Sequence, residues 1–283
     1  MSTICNKQQA ANNNGEQEKV VCVTGAGGFI GSWVVRELLR GGYRELVPVA
    51  VEGTRNVINA AADEGARRVV LTSSYGAVHM DPNRSPDAVL DENCWSDYEF
   101  CKKTDNLYCC AKMMAEITAT EESAKRGLQL SVVLPCMTMG PMLQQTLNFS
   151  SIHVARYLMG TKKTYPNAVA AYVDVRDVAR AHVLAYERPN ARGRYLCIGT
   201  VLHRAQLIGL LKQLFPQYPV TAECEDDGMP MAKPYKFSSQ RIKDLGLEFT
   251  PLNKSLYEAV ICMQQKGHLP VIPFPPQQQR AYL

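Results

Sequence analysis

Hydrophobic and polar positions divide the chain into short apolar runs and longer stretches with helical spacing. Three apolar runs rich in β-branched residues are typical of strands buried on both faces: residues 19–24, 67–73 and 128–134. Apolar residues recur at the spacing of amphipathic helices over residues 29–39, 48–62, 108–125, 151–159, 177–187 and 204–214. Strands that alternate with helices predict an α/β fold built on a doubly wound parallel sheet.

Both ends of the chain are predicted to be flexible. Residues 1–18 are polar and rich in Asn and Gln, which predicts a disordered tail, and residues 270–283 are rich in Pro and Gln. Between these tails we predict a truncated dinucleotide-binding part over residues 19–141. Residues 142–269 are predicted to combine a smaller substrate-binding lobe with the remaining elements of the sheet.

The composition argues against several classes of function. The formal net charge is only +4, with the basic residues dispersed, so no binding of nucleic acid is expected. No run of about 18 apolar residues is present, so no membrane span is expected. The ten Cys are scattered and no apolar signal segment opens the chain, which predicts a cytoplasmic location. Neither the five His nor the Cys109-Cys110 pair has metal-ligand spacing, so no metal is expected.

A glycine-rich turn follows the first predicted strand. It reads Thr-Gly-Ala-Gly-Gly-Phe-Ile-Gly over residues 24–31, and a helix is predicted to begin there. Such a turn lets the backbone approach a pyrophosphate, while the helix N-terminus supplies N–H donors and a positive dipole. The turn therefore predicts dinucleotide binding. The alternative is a tight turn from strand to helix that binds no ligand.

Tyr108 and Lys112 lie four residues apart and therefore share one face of a predicted helix. A nearby ammonium favours the phenolate, so Lys112 is expected to lower the pKa of Tyr108 and make its hydroxyl a usable proton donor. Alone, the pair could equally be an ordinary surface contact. Thr72-Ser73-Ser74 adds a third element, because it ends a predicted strand where ligands of open α/β sheets bind.

In this order, the three motifs resemble those of the extended short-chain dehydrogenase/reductases, with a Rossmann fold that binds NAD(P). Further segments narrow the resemblance to the plant cinnamoyl-CoA reductases and their close relatives: DPNRSP at 81–86, CWSD at 94–97, RYLC at 194–197, KPYKFS at 233–238 and LGLEF at 245–249. The resemblance covers residues 19–43 and 46–269. It implies NADPH-dependent reduction of hydroxycinnamoyl-CoA thioesters to aldehydes in the phenylpropanoid pathway that leads to lignin.

The resemblance also implies a role for particular residues. Ser74, Tyr108 and Lys112 would form the catalytic triad, with Ser73 as the alternative serine if the strand register differs by one. Tyr108 would protonate the thioester oxygen while NADPH delivers hydride to the carbonyl carbon. The resulting hemithioacetal would collapse to the aldehyde and free CoA.

The remaining implied roles concern the cofactor and the CoA moiety. Together with Tyr108 and Lys112, the residues implied to bind NADP(H) are Gly25, Gly28, Phe29, Ile30, Gly31, Pro135, Cys136, Met137, Thr138 and Ser150. The residues implied to bind CoA are His153, Arg156 and Arg204. A cationic cluster suits the CoA phosphates, although each of these residues alone could be a solvated charge.

The chain departs from the family pattern at residues 42–48, where a block of several dozen residues is missing. In the family this block contains a basic turn that selects the 2'-phosphate of NADP, and further strands. We therefore predict a sheet that is about three strands short, and impaired activity. The residues left between the two flanking helices reach only about 15 Å when extended, against a helix of roughly 20 Å. Both halves cannot keep their usual places without unwinding one helix.

Two other interpretations stay open. The first is a dihydroflavonol reductase or another carbonyl reductase of the same fold, which would not need the CoA cluster. The second is a catalytically inactive splice product that associates with a full-length relative.

Cys101, Cys109 and Cys110 lie close to Tyr108 in sequence, and we expect them to be ordinary buried thiols. Oxidation that distorts the site is the alternative.

Overall fold

The computed structural model describes residues 22–24, 46–85 and 87–273, with side chains described from residue 46 onward. The strands are β1 (Cys22–Thr24), β2 (Arg68–Thr72), β3 (Val89–Leu90), β4 (Gln129–Pro135), β5 (Met137–Met139), β6 (Thr164–Tyr165), β7 (Val169–Asp174), β8 (Gly193–Cys197), β9 (Thr200–His203), β10 (Glu223–Cys224) and β11 (Lys236–Phe237). The helices are α1 (Leu46–Asp63), α2 (Tyr98–Lys103), α3 (Leu107–Lys125), α4 (Phe149–Leu158), α5 (Val175–Glu187), α6 (Arg204–Leu214), α7 (Gln240–Asp244) and α8 (Leu252–Gln265). A short 3₁₀ helix, Tyr75–Ala77, follows β2.

The described residues contribute four strands to the main sheet, in the order β1-β2-β4-β8, and their three pairings are parallel. Its central strands are buried because they are apolar on both faces, as in the run Val69 to Leu71. The sheet confirms the predicted α/β class and the three predicted strands. Smaller sheets join β5-β7-β9, β10-β6 and β11-β3.

Helices cover both faces of the main sheet. Successive residues at the end of β2 show this, because they point to opposite faces. Thr72 Oγ1 lies 2.7 Å from His182 Nε2 on α5, whereas Ser73 Oγ donates to Glu116 Oε2 on α3 at 2.5 Å. Helices α1 and α3 pack together, and α5 packs on β2 and β4. The predicted doubly wound arrangement is therefore confirmed.

The five helices predicted within the described residues are present, with bounds that differ by at most two residues. Side-chain caps fix three of their starts. The Asn148 side chain accepts from Ser151 N, that of Asp174 from Arg176 N, and that of His203 from Ala205 N. Helix α1 is described over Leu46–Asp63, so Pro48 lies in the first described turn, where its missing N–H is tolerated.

Strand β1 pairs directly with β2 in the described part of the chain, and residues 46–67 contain helix α1 and a turn but no strand. This agrees with a sheet that lacks strands between these two. The glycine-rich turn at 24–31 falls almost wholly outside the described residues, as do the helix predicted at 29–39 and the tail at 1–18. Of the predicted C-terminal tail, residues 270–273 are described and have no regular structure.

Two large hydrophobic clusters lie within the described residues. One lies on both faces of the main sheet and includes Val69, Val133 and Leu196, and the other lies between β7 and helices α4, α6 and α8 and includes Tyr157 and Leu256. Because β8 and α5 belong to the first cluster, the later half of the chain contributes to both. The domain boundary at residue 142 stays a prediction.

None of the described helices has the length and apolar character that a membrane span requires. Within the described residues, no three His, Cys, Asp or Glu side chains are grouped to hold a metal ion.

Candidate active site

Ser74 and Tyr108 meet at the carboxyl end of β2. Ser74 is buried, its Oγ accepts a hydrogen bond from Gly76 N at 3.1 Å, and its side chain is close enough to that of Tyr108 to lower the pKa of the phenol. A Cβ at Gly76 would lie 3.1 Å from Cys109 Sγ and 3.4 Å from Ser74 Oγ. Glycine at this position therefore keeps the space between the two hydroxyl-bearing residues open. Tyr108 is 37% exposed, so its ring can be reached from solvent.

Ser73 points away from this pair. Its hydroxyl donates to Glu116 Oε2 at 2.5 Å beneath the sheet, and its backbone N–H donates to Val133 O at 2.8 Å. Because neighbouring strand residues face opposite sides, only one of the two serines can approach Tyr108. Of the two candidate serines, the geometry therefore favours Ser74.

Lys112 lies one helical turn after Tyr108 and is buried. Its Nζ donates to Thr72 O at 2.9 Å, so the helix that carries Tyr108 is tied to the end of β2. Burial desolvates the ammonium and lowers the pKa of Lys112 from its ordinary 10.5 to about 8, an effect that the nearby carboxylate of Glu116 opposes.

The pKa of Tyr108 is raised, not lowered as the sequence suggested. Desolvation of the phenol is the largest cause, Cys109 adds to it, and the hydrogen bond with Ser74 opposes it. The expectation for Lys112 was wrong because its ammonium is directed to Thr72 O and its own charge is destabilised by burial. The phenol of Tyr108 therefore keeps its proton at neutral pH.

A buried ion pair lies directly beneath the site and was not found from the sequence. Arg194 Nε donates to Glu116 Oε1 at 2.5 Å, and Arg194 Nη1 donates to Glu92 O and Cys94 O. The guanidinium also stacks 3.8 Å from the Trp95 ring centroid. Burial raises the pKa of Glu116, while Arg194 opposes this shift. In the sequence, only the four-residue spacing between Lys112 and Glu116 indicated that Glu116 lies near the site.

The segment implied to face the nicotinamide follows the end of β4. Pro135 pairs with Cys197 on β8, Cys136 is buried, and Thr138 Oγ1 donates to Cys136 O at 3.0 Å. Met137 and Thr138 belong to β5 and are half-buried, as is Ser150 in the first turn of α4. Tyr75 lies near both Cys136 and Cys109, and its pKa is raised mainly by burial and then by these thiols.

The residues of the glycine turn that are implied to hold the pyrophosphate lie outside the described residues. They are Gly25, Gly28, Phe29, Ile30 and Gly31. Their role stays a prediction.

The structure brings His153, Arg156 and Arg204 together and adds Lys162, which the sequence analysis missed. Burial, and after it the positive charges of Arg204, Lys162 and Arg156, lower the pKa of His153 to about 3. His153 Nε2 and Arg204 Nε are buried and have no hydrogen-bond partner. Lys162 lies in the loop after α4, where no helical spacing could connect it with His153.

Arg204 links this cationic cluster to the segment after β4. Its Nη1 donates to the Tyr172 hydroxyl and lies 3.8 Å from Met137 Sδ. The cationic cluster and the residues implied to face the nicotinamide are therefore neighbours in space.

The three cysteines near Tyr108 form one buried cluster of free thiols. Burial raises the pKa of Cys101 to about 11 and that of Cys109 to about 12, and it also raises the pKa of Cys110. Thiols that keep their protons are poor nucleophiles, as expected for ordinary buried cysteines.

Comparisons with known proteins agree with this architecture. The model of the NAD dependent epimerase/dehydratase family matches residues 44–199. Cinnamoyl-CoA reductase 1 of Oryza sativa subsp. japonica is 67% identical over 336 residues, which covers 97% of this chain and 98% of the relative. Cinnamoyl-CoA reductase 1 of Petunia hybrida is 46% identical and covers 89% of this chain and 94% of its own length. Vestitone reductase from alfalfa shares the fold, with a TM-score of 0.72 at 22% identity over 88% of this chain and 99% of that chain.

The first of these alignments also bears on the missing block. It spans 336 residues, although this chain has only 283. At dozens of aligned positions, therefore, the relative has a residue and this chain has a gap. Since both chains are covered almost completely, this agrees with residues missing from the interior of the chain.

Proposed function

The chain belongs to the cinnamoyl-CoA reductases, within the NAD dependent epimerase/dehydratase family, and we propose that it reduces hydroxycinnamoyl-CoA thioesters to aldehydes with NADPH through Ser74, Tyr108 and Lys112. The observation that carries this assignment of residues is the meeting of the Ser74 and Tyr108 side chains at the carboxyl end of β2. Ligands of open α/β sheets bind at this edge.

Ser74 and Tyr108 would hold the carbonyl oxygen of the thioester. Two hydroxyl donors at one end of a strand can both donate to an oxygen on which negative charge develops. Tyr108 suits the role of proton donor because its raised pKa keeps the phenol protonated. Tyr108 would give its proton to the carbonyl oxygen as the carbonyl carbon accepts hydride. The carbon–sulfur bond would then break as the proton of the new hydroxyl passes to the sulfur, which gives the aldehyde and CoA as the thiol.

Lys112 would act on both the cofactor and the phenol. An ammonium has three N–H donors, and Lys112 uses one of them for Thr72 O. A further donor can bind a ribose hydroxyl, and the positive charge stabilises the phenolate left after proton transfer. Lys112 therefore prepares Tyr108 for the reaction, even though it does not lower the pKa of that phenol in the resting structure.

The residues at the end of β4 fit the nicotinamide half of NADPH, which supplies the hydride when bound. Pro135, Cys136, Met137 and Thr138 lie beside the strand end that carries Ser74, since β4 pairs with β2. We propose that this segment and Ser150 line one side of the nicotinamide. The Gly25-to-Gly31 turn would hold the pyrophosphate.

The CoA moiety would bind at the cationic cluster. His153, Arg156 and Arg204 lie together, and the unpartnered atoms His153 Nε2 and Arg204 Nε can bond to phosphate oxygens. This cluster favours a CoA thioester over the uncharged substrate of a carbonyl reductase. We also propose a cytoplasmic location, which the free thiols of the described cysteines support.

Incubation of the purified chain with NADPH and either feruloyl-CoA or dihydroquercetin tests the proposal. We expect aldehyde and free CoA thiol to form in equal amounts from the thioester, with Tyr108→Phe as the inactive control. Turnover of dihydroquercetin alone would instead support a carbonyl reductase. Failure of both reactions would support the inactive product, and co-purification with a full-length relative would then test the proposed association.

A further inference from the structure

Lys162 occupies a defined place in the cationic cluster. Its carbonyl oxygen accepts from Thr221 Oγ1 at 2.6 Å, and its N–H donates to Arg156 O at 3.5 Å. Its Nζ lies 5.8 Å from the centroid of the Tyr157 ring, which itself packs edge-on against His153. The backbone therefore holds this lysine beside the cluster, and its charge reaches His153.

The same lysine faces a carboxylate of the protein. Glu225 Oε1 lies 3.7 Å from Lys162 Nζ and accepts from Thr164 Oγ1 at 3.1 Å. Its backbone is fixed as well, because Glu225 N donates to Tyr165 O next to the pairing of β10 with β6. Glu225 and Arg204 also shift the pKa of Tyr157 in opposite directions, so the carboxylate lies within the field of the cluster.

The pair is exposed enough for an incoming anion to reach it. The side chains of Lys162 and Glu225 are 43% and 46% exposed, and an exposed pair at this distance is weak. A phosphate group carries more charge than a carboxylate and offers more acceptor oxygens, so it can replace Glu225 as the partner of Lys162.

We propose that Lys162 is a third cationic contact for the phosphates of CoA, beside Arg156 and Arg204, and that Glu225 is a counter-ion which the phosphate displaces. The ligand class rests on the proposed function. Without ligand, Glu225 neutralises part of the cluster. When CoA binds, the pair of Lys162 and Glu225 must separate, so Glu225 weakens the binding of CoA.

Calorimetric titration of the full chain with free CoA tests both residues without any need for turnover. We expect Lys162→Ala to weaken CoA binding about three- to tenfold and Glu225→Gln to tighten it about two- to fivefold. The tightening should disappear when both changes are combined, because the carboxylate acts through the lysine. Raising the ionic strength should reduce all of these differences, since the groups are exposed.

Lys163→Ala is the matched control, because Lys163 is the exposed neighbour of Lys162 and is not among the charges that lower the pKa of His153. It should leave CoA affinity within about twofold of the unmodified chain. Thermal melting checks that every variant is folded.

The outcomes separate the inference from the proposed function. If the unmodified chain does not bind CoA, the proposed thioester substrate is wrong and the phosphate contact fails with it. If the chain binds CoA but Lys162→Ala and Glu225→Gln match the Lys163→Ala control, Lys162 and Glu225 are only a surface ion pair. The CoA assignment then stands and the inference is overturned.

Discussion

Replacing Lys112 with Met is expected to stabilise the fold at neutral pH while removing activity. Lys112 is 6% exposed, and burial lowers its pKa from 10.5 to about 8. At about 1.4 kcal/mol per pKa unit, the charged ammonium costs the native state roughly 3 kcal/mol. Methionine fills a similar volume without charge but loses the hydrogen bond to Thr72 O, worth about 1 kcal/mol. The net gain should be about 2 kcal/mol, because Glu116 keeps Arg194 as its partner.

The gain in the free energy of unfolding from Lys112→Met should depend on pH in a defined direction. Because the pKa of Lys112 is lower in the native state than in the unfolded state, the unfolded chain binds more protons between about pH 8 and 10.5. The stability of the unmodified chain therefore rises across this window. The advantage of Lys112→Met should be complete below about pH 8 and should vanish at about pH 9.5, because about 1.4 kcal/mol is recovered per pH unit. Near pH 10.5 the variant should be the less stable protein, since only its lost hydrogen bond to Thr72 O remains.

Urea unfolding of both proteins from pH 7 upward measures this difference in the free energy of unfolding. The matched control is Lys125→Met on the same helix, where the lysine side chain is 64% exposed and no comparable change is expected. A Lys112→Met variant that is less stable than the unmodified chain at pH 7 would refute the reasoning. A stability gap that stays constant up to pH 10.5 would refute it as well.

Three further changes probe the site. Tyr108→Phe should lower turnover by about a hundredfold or more with the fold intact, and turnover within about threefold of the unmodified chain would exclude the phenol as proton donor. Ser74→Ala should lower kcat strongly and cost about 1 kcal/mol of stability, because Gly76 N loses its acceptor. Ser73→Ala should lower the free energy of unfolding by about 1–3 kcal/mol with kcat nearly unchanged, because Ser73 donates to Glu116; an equal loss of kcat in both variants would contradict the assignment. Arg194→Met leaves the carboxylate of Glu116 buried without its cation and should cost about 3–5 kcal/mol in urea unfolding, and a loss below about 1 kcal/mol would contradict this.

Local pattern was enough to predict β1, β2 and β4 of the main sheet, because strands buried on both faces leave a continuous apolar run. It missed β8, which begins with Gly193 and Arg194 and has only a short apolar run. It was also enough to find Tyr108 and Lys112, which are four residues apart on one helix. It could not choose between Ser73 and Ser74, since a shift of one residue in register reverses the face of every side chain in a strand.

Contacts between distant parts of the chain left no such signal. Lys112 donates to Thr72 O, and Glu116 pairs with Arg194, across 40 and 78 residues. The lowered pKa of Lys112 and the raised pKa of Tyr108 follow from burial, which spacing along a helix does not reveal. Lys162 was missed for the same reason, because tertiary packing alone brings its loop to His153.

The central claim is that the chain keeps its catalytic residues but lacks part of the sheet that binds the cofactor. Calorimetric titration of the purified chain with NADPH and with NADH tests this claim most directly. The missing basic turn would have contacted the 2'-phosphate. Two lost contacts of roughly 1.5–3 kcal/mol each should weaken NADPH binding by on the order of a hundredfold or more. We therefore predict weak binding of NADPH, with little preference over NADH. A submicromolar dissociation constant for NADPH, with NADH at least about tenfold weaker, would contradict this account of the missing block.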